Sequence, residues 1–146
     1  MSSFDWMDLQ FACCFFLTGV IWVIQLTHYP AFAMIVRDQF VTFHKRHTSA
    51  MGFIVGPGMI VELLTAILLC REYQLVWICN LAGVLLIWGM TIFWSIPSHS
   101  KLAQGQDLLE IRNLVRTNWF RTCIWTVRSF VFILMIASPH AFLKVV

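Results

Sequence analysis

Charge is missing from two long tracts of this chain and nearly missing from two more, and no other feature restricts its folding as severely. Leu9 to Val36 and Tyr73 to Ser100 hold no Asp, Glu, Lys or Arg. Thr48 to Cys70 holds one such residue, Glu62, and Thr122 to Val145 holds Arg128 near its middle and Lys144 at its end. A helix needs about 20 mostly apolar residues to cross a bilayer, so every tract is long enough. Ionisable side chains at membrane depth are costly and face a bundle interior or a wet cavity, which makes them the first candidates for function.

The expected fold is all-α: a polytopic membrane protein built as an antiparallel four-transmembrane-helix bundle. It forms a single domain over residues 1–146, with spans near 9–34, 50–70, 74–97 and 119–140. Only 12% of the chain is charged against 60% hydrophobic, where a soluble domain has about 25% charged. The net charge of +3 is scattered over connections rather than gathered in a stripe, which excludes a nucleic-acid footprint. Asp5 and Asp8 stand where a secretory leader carries bases, so the first tract reads as a retained span.

Basic residues between the tracts set the expected orientation. Arg37, Lys45 and Arg46 follow the first tract, and Lys101, Arg112, Arg116 and Arg121 lie between the third and fourth. The opposite side holds only Arg71 and Lys144. The positive-inside bias then places the first and third connections in the cytoplasm and both termini outside. Arg71-Glu72 allows only a tight hairpin. Between Asp107 and Thr117, Leu108, Leu109, Ile111, Leu114 and Val115 recur at helical spacing, predicting a short interfacial helix running into the last span.

Polar residues inside the tracts sort by depth. His28 precedes Pro30, which is expected to kink the helix end. His44 and His47 stand three apart, and Pro97 ends or bends the third span just before His99. Gly56-Pro57-Gly58 is expected to interrupt the second span ahead of Glu62. In the fourth tract Asn118, Arg121, Trp125 and Arg128 fall within about 80° of each other at 100° per residue, so this face looks into the bundle. Glu62, the one acid in the spans, lies at a matching depth, which predicts a Glu62–Arg128 ion pair. His140 receives no role.

These positions divide into two expected layers: a rim of His44, His47 and His99, and a deeper group of His28, Glu62 and Arg128. Imidazoles three residues apart on a helix suit zinc, copper or iron, so His44, His47 and His99 are the candidate metal ligands. A haem between His28 and His99 is the other cofactor expectation; a solvated basic loop near lipid headgroups is the plain alternative for His44 and His47. Trp22, Trp88, Trp94 and Trp125 lie within spans and are candidates to wall a flat apolar ligand, Trp125 with His99 as cofactor contacts. Cys13, Cys14, Cys70, Cys79 and Cys123 show no C-x-x-C spacing and read as packing residues. Neither a phosphate-binding glycine loop nor a G-x-S-x-G or H-E-x-x-H motif is present. Gly19, Gly83 and Gly89 permit close helix contacts, within one chain or in a homo-oligomer.

The run Asn118-Trp119-Phe120-Arg121-Thr122 through Trp125 to Arg128 resembles the signature of small uncharacterised bacterial four-span membrane proteins. His28-Tyr29-Pro30, Gly56-Pro57 with Glu62, and Pro97-Ser98-His99 with Leu102 and Gly105 agree with it. More distantly the chain is similar to the anthrone-oxygenase-like membrane family, whose enzymes oxidise polycyclic anthrones to quinones. That resemblance implies oxidation of a flat hydrophobic substrate.

Two functional expectations follow. In the first the protein is a membrane oxidoreductase for a lipophilic or quinone-like substrate. His28 and Glu62 move protons, Arg121 and Arg128 stabilise a developing oxyanion, and Asn118 orients the substrate. In the second the same site binds a metal, haem or lipid, or a partner subunit, without chemistry.

Overall fold

A computed structural model describes residues 3–138. Four helical rods fill it, and no strand occurs among the described residues. The apolar tracts account for all four: spans run over Trp6–Met34, Arg37–Cys70, Leu75–Leu102 and Leu108–Ala137. The segment expected to be an interfacial helix is helical and continuous with the fourth span. Side chains facing outward are apolar, among them Met34, Phe53, Phe93 and Phe130, with Phe53 83% exposed. A surface of this kind is stable against lipid, not water. The protein is therefore an integral membrane four-helix bundle.

The connections are shorter than the sequence implied. Only Ile35 and Val36 separate the first two helices, and the second, of 34 residues, is roughly 51 Å long. It outruns a hydrocarbon core of about 30 Å, so its first turns stand beyond the core as helix, not loop. Gln106 Nε2 donates to the carbonyls of Phe32 and Ile35, closing the end of the first span. Asp107 caps the fourth span by accepting from the backbone N–H groups of Leu109 and Glu110.

Prolines act differently from expectation. Pro57 sits inside an unbroken helix, so Gly56-Pro57-Gly58 does not interrupt the second span. One lost backbone bond is tolerated because this helix packs along the first span, with Gly58 against Leu17. Pro30 and Pro97 do not end their helices. Each is preceded by a π-helical turn, Ile24–His28 and Thr91–Ser95, in which the residue before the proline bonds five residues back: Tyr29 N–H to Ile24 O, and Ile96 N–H to Thr91 O. The inserted residue relieves the clash between the proline ring and the preceding turn, and the chain continues as helix to Met34 and Leu102.

The core has two ends. Near the 71–74 turn, Phe11, Trp77 and Phe132 interlock, with the Phe11 and Phe132 ring centroids 4.5 Å apart. At the other end Phe32 packs edge-on against Phe40, Phe43 and His47. The second and third spans contact closely near their shared turn and separate toward the second end.

Candidate functional site

The π-helical turns bring the histidines together. His28 closes the first turn, and Ser95 closes the second, four residues before His99. Tyr29 Oη lies 3.1 Å from His99 Nε2, and His99 Nδ1 lies 3.0 Å from His44 Nε2. His47 stacks on His99 at 6.0 Å between centroids and meets His28 at 5.3 Å. His44 is only 1% exposed and stacks on Phe40, so the basic-loop reading of His44 and His47 is overturned: both are buried in the bundle end.

The Tyr29–His99–His44 chain can be polarised in two ways. With the tyrosine donating to His99 Nε2, His99 Nδ1–H donates to His44, whose own Nδ1 then carries a proton. With every bond reversed, His44 Nδ1 becomes an acceptor. That Nδ1 is buried and has no partner in the protein. It ends the hydrogen-bonded chain without a partner.

One level deeper lies Arg121, which is 5% exposed and so a buried charge of the bundle rather than a loop charge. Its Nη1 donates to Ser95 Oγ at 3.1 Å and to Asn118 Oδ1 at 3.3 Å, and its guanidinium lies 5.2 Å from the Trp125 ring centroid. Asn118 Nδ2 donates to Gln25 Oε1 at 2.8 Å, and Gln25 Nε2 to the Val115 carbonyl.

The third level is the expected ion pair. Arg128 Nη1 donates to Glu62 Oε1 at 2.7 Å, and both side chains are buried. Trp125 Nε1 lies 3.2 Å from each carboxylate oxygen. Arg128 Nε and Nη2 both donate to Asn80 Oδ1, at 3.0 and 2.8 Å. Gly83 makes this possible: a Cβ there would stand 2.8 Å from Arg128 Cδ.

Where the second and third spans separate, a cavity of about 440 Å³ opens between them. Tyr29, His44, His47, Ser95, His99 and Arg121 form its polar wall, while Met51, Val55, Met59 and Ile96 are among its apolar lining. His28, Glu62, Asn118, Trp125 and Arg128 do not line it. His28 was expected beside Glu62; it belongs instead to the histidine layer and faces a separate groove of about 260 Å³ between the first two spans. Trp22, Trp88, Trp94 and Trp125 do not wall this cavity; Trp94 is half exposed on the outer surface, and Trp22 donates to Thr126.

The candidate metal ligands His44, His47 and His99 are neighbours, but no group of three or more His, Cys, Asp or Glu among the described residues is arranged to hold an ion. His44 and His99 spend a nitrogen each on one another. His28 and His99 do not face each other across a slot for a macrocycle; His47 contacts both rings. The cysteines are free, with Cys14 buried against Ser129 and Cys79 and Cys123 exposed. His140 lies outside the described residues.

Sequence reasoning missed Gln25, Asn80, Ser95 and Tyr29, all buried and all hydrogen-bonded to the predicted site residues or to their histidines. The available signal was chemical type: an amide within an apolar span needs a partner as a charge does. The bundle with its enclosed polar column defines the class of protein, an integral membrane protein with an internal polar site. Compared with known proteins, the chain matches no family model, no curated protein and no solved structure.

Proposed function

We propose that the protein admits a lipophilic molecule from the bilayer into the cavity between the second and third spans and performs proton-coupled redox chemistry on it, as a membrane oxidoreductase for a quinone-like or phenolic substrate. One observation carries this reading: the Tyr29–His99–His44 hydrogen-bonded chain lies on the polar wall of the cavity, facing an apolar lining, and ends in a buried unpartnered nitrogen. A phenol or quinone oxygen at His44 Nδ1 gives or takes a proton there, and the relay reverses to carry it. Arg121 stabilises negative charge on that oxygen. The electrons pass to or from a second substrate of the oxidant or quinone class.

In this scheme Asn118 is a positioning residue that orients Arg121. Glu62, Trp125 and Arg128 hold the fourth span in register. His28 backs His47. The resemblance to the anthrone-oxygenase-like family makes flat polycyclic phenols the first substrates to try. A second reading, ligand binding without turnover, is favoured by the mutual satisfaction of Glu62 and Arg128, which leaves no acid at the cavity. The experiment that separates them measures oxidation of quinols and polycyclic phenols by the purified protein in mild detergent. Turnover abolished by His99→Phe supports chemistry; binding without turnover supports the second reading.

A further inference from the structure

Arg121 is a buried cation without an anion. No carboxylate among the described residues lies within ion-pair distance of it. Glu62 is committed to Arg128 and Trp125, and Glu110 to Ser98 and Lys101. Hydrogen bonds from Nη1 to two neutral oxygens and the face of Trp125 do not neutralise a guanidinium, and its Nε has no partner at all. A fold keeps such a charge out of water only when something compensates it. The ionisable groups that interact with Arg121 are the Tyr29 phenol and the His99 imidazole, and the cavity lining holds no carboxylate, so the bundle offers it no acid.

We propose that the cavity binds a lipophilic anion, with a carboxylate or phosphate group against Arg121 and an apolar body between Met51, Val55, Met59 and Ile96. This rests on the reading of that cavity as the ligand site and adds an acidic group to the lipophilic body the cavity takes. The Ser95 hydroxyl, on the same wall and beside Arg121, supplies a further donor for the anionic group. The volume of about 440 Å³ lies within the range of small-molecule pockets, roughly 300–1,000 Å³. The gap between the second and third spans admits an acyl or polycyclic body sideways from the bilayer. Gly52 and Gly56 stand on its wall with open space where a Cβ would be, which keeps the passage wide.

The test is binding of three probes to the delipidated full chain in mild detergent: oleate, oleyl alcohol and dioleoyl phosphatidate. Oleate is expected to bind at least tenfold more tightly than oleyl alcohol, and Arg121→Gln to erase that ratio. Arg121→Lys, which keeps the charge, retains the preference and controls for folding. A preference for phosphatidate over oleate identifies a lipid headgroup as the source of the anion, and the reverse a free acid. Gly56→Leu, which fills the passage without touching Arg121, is expected to weaken all three probes. Equal binding of acid and alcohol to the wild type, with Gly56→Leu still blocking both, overturns the anion and leaves the cavity standing. Binding of every probe indifferent to Gly56→Leu overturns the cavity itself and the proposal with it.

Discussion

Gly83 on the third span and Arg128 on the fourth occupy one volume: a single methyl group at Gly83 would stand 2.8 Å from Arg128 Cδ. The absence of that methyl lets the arginine lie flat across the helix and reach Glu62 and Asn80 together. Gly83→Ala is accordingly expected to destabilise the bundle by about 1–3 kcal/mol through overpacking. The readout is a lower melting temperature in detergent. An unchanged melting temperature means that Arg128 has another resting place.

Glu62→Gln leaves Arg128 buried with no counter-charge. Breaking one partner of a buried pair costs about 3–5 kcal/mol, whereas removing both is far milder. Glu62→Gln is thus expected to lower thermal stability strongly, and Glu62→Gln with Arg128→Met to recover most of the loss. Additive single losses in this cycle would show that the pair is not coupled.

Pro97 is expected to work through the π-helical turn ahead of it. Pro97→Ala restores a donor N–H to the backbone and removes the steric reason for that turn. A regular α-helix then rotates Ser95 relative to His99 and weakens the Ser95 contact with Arg121. The expected result is a folded protein of near-normal melting temperature whose affinity for oleate falls several-fold. Retained affinity argues that the turn persists without its proline.

The relay makes a sharper distinction. His99→Phe keeps an aromatic ring between Tyr29 and His44 but removes both nitrogens that link them. Turnover of a quinol or polycyclic phenol is expected to drop by about 100-fold or more, as for loss of a general acid–base group. Binding of oleyl alcohol, which needs only the apolar wall, stays within twofold. A parallel fall in both points to collapse of the cavity instead.

Orientation is open to direct labelling. The positive-inside bias predicts a cytoplasmic histidine end, and the prediction survives the loss of Arg121 from the count, since Arg37, Lys45, Arg46, Lys101, Arg112 and Arg116 remain at that end. In a variant with its native cysteines replaced, a cysteine at Gln104 is expected to react only after the membrane is permeabilised, and one at Tyr73 in intact spheroplasts. The reverse pattern inverts the protein.

Much of the fold and part of the site were legible in the chain because they depend on one helix at a time. An apolar tract of sufficient length has to be a spanning helix, whatever its neighbours do, since lipid offers no partner for an exposed backbone. The Asn118, Arg121, Trp125 and Arg128 face followed from the 100° step alone, and Glu62 was the single acid that Arg128 had available in the spans. His28 was misplaced for a physical reason. The turn Ile24–His28 carries an extra residue, and each extra residue slips the phase of a helix by about 100°.

The amino-acid sequence by itself determined four spanning helices, an inward polar face on the last of them and the pairing of its deepest arginine with Glu62. These are consequences of solvation cost and of a fixed helical step, both local. Only the tertiary structure decided that the four histidines at one end touch one another, that Gln25 and Asn80 complete the polar column, and that a cavity opens where the second and third spans part. Those features depend on how each helix is rotated and tilted against the others. Two proline-induced turns and the packing of glycines against long side chains set those rotations, and a one-dimensional pattern does not record them.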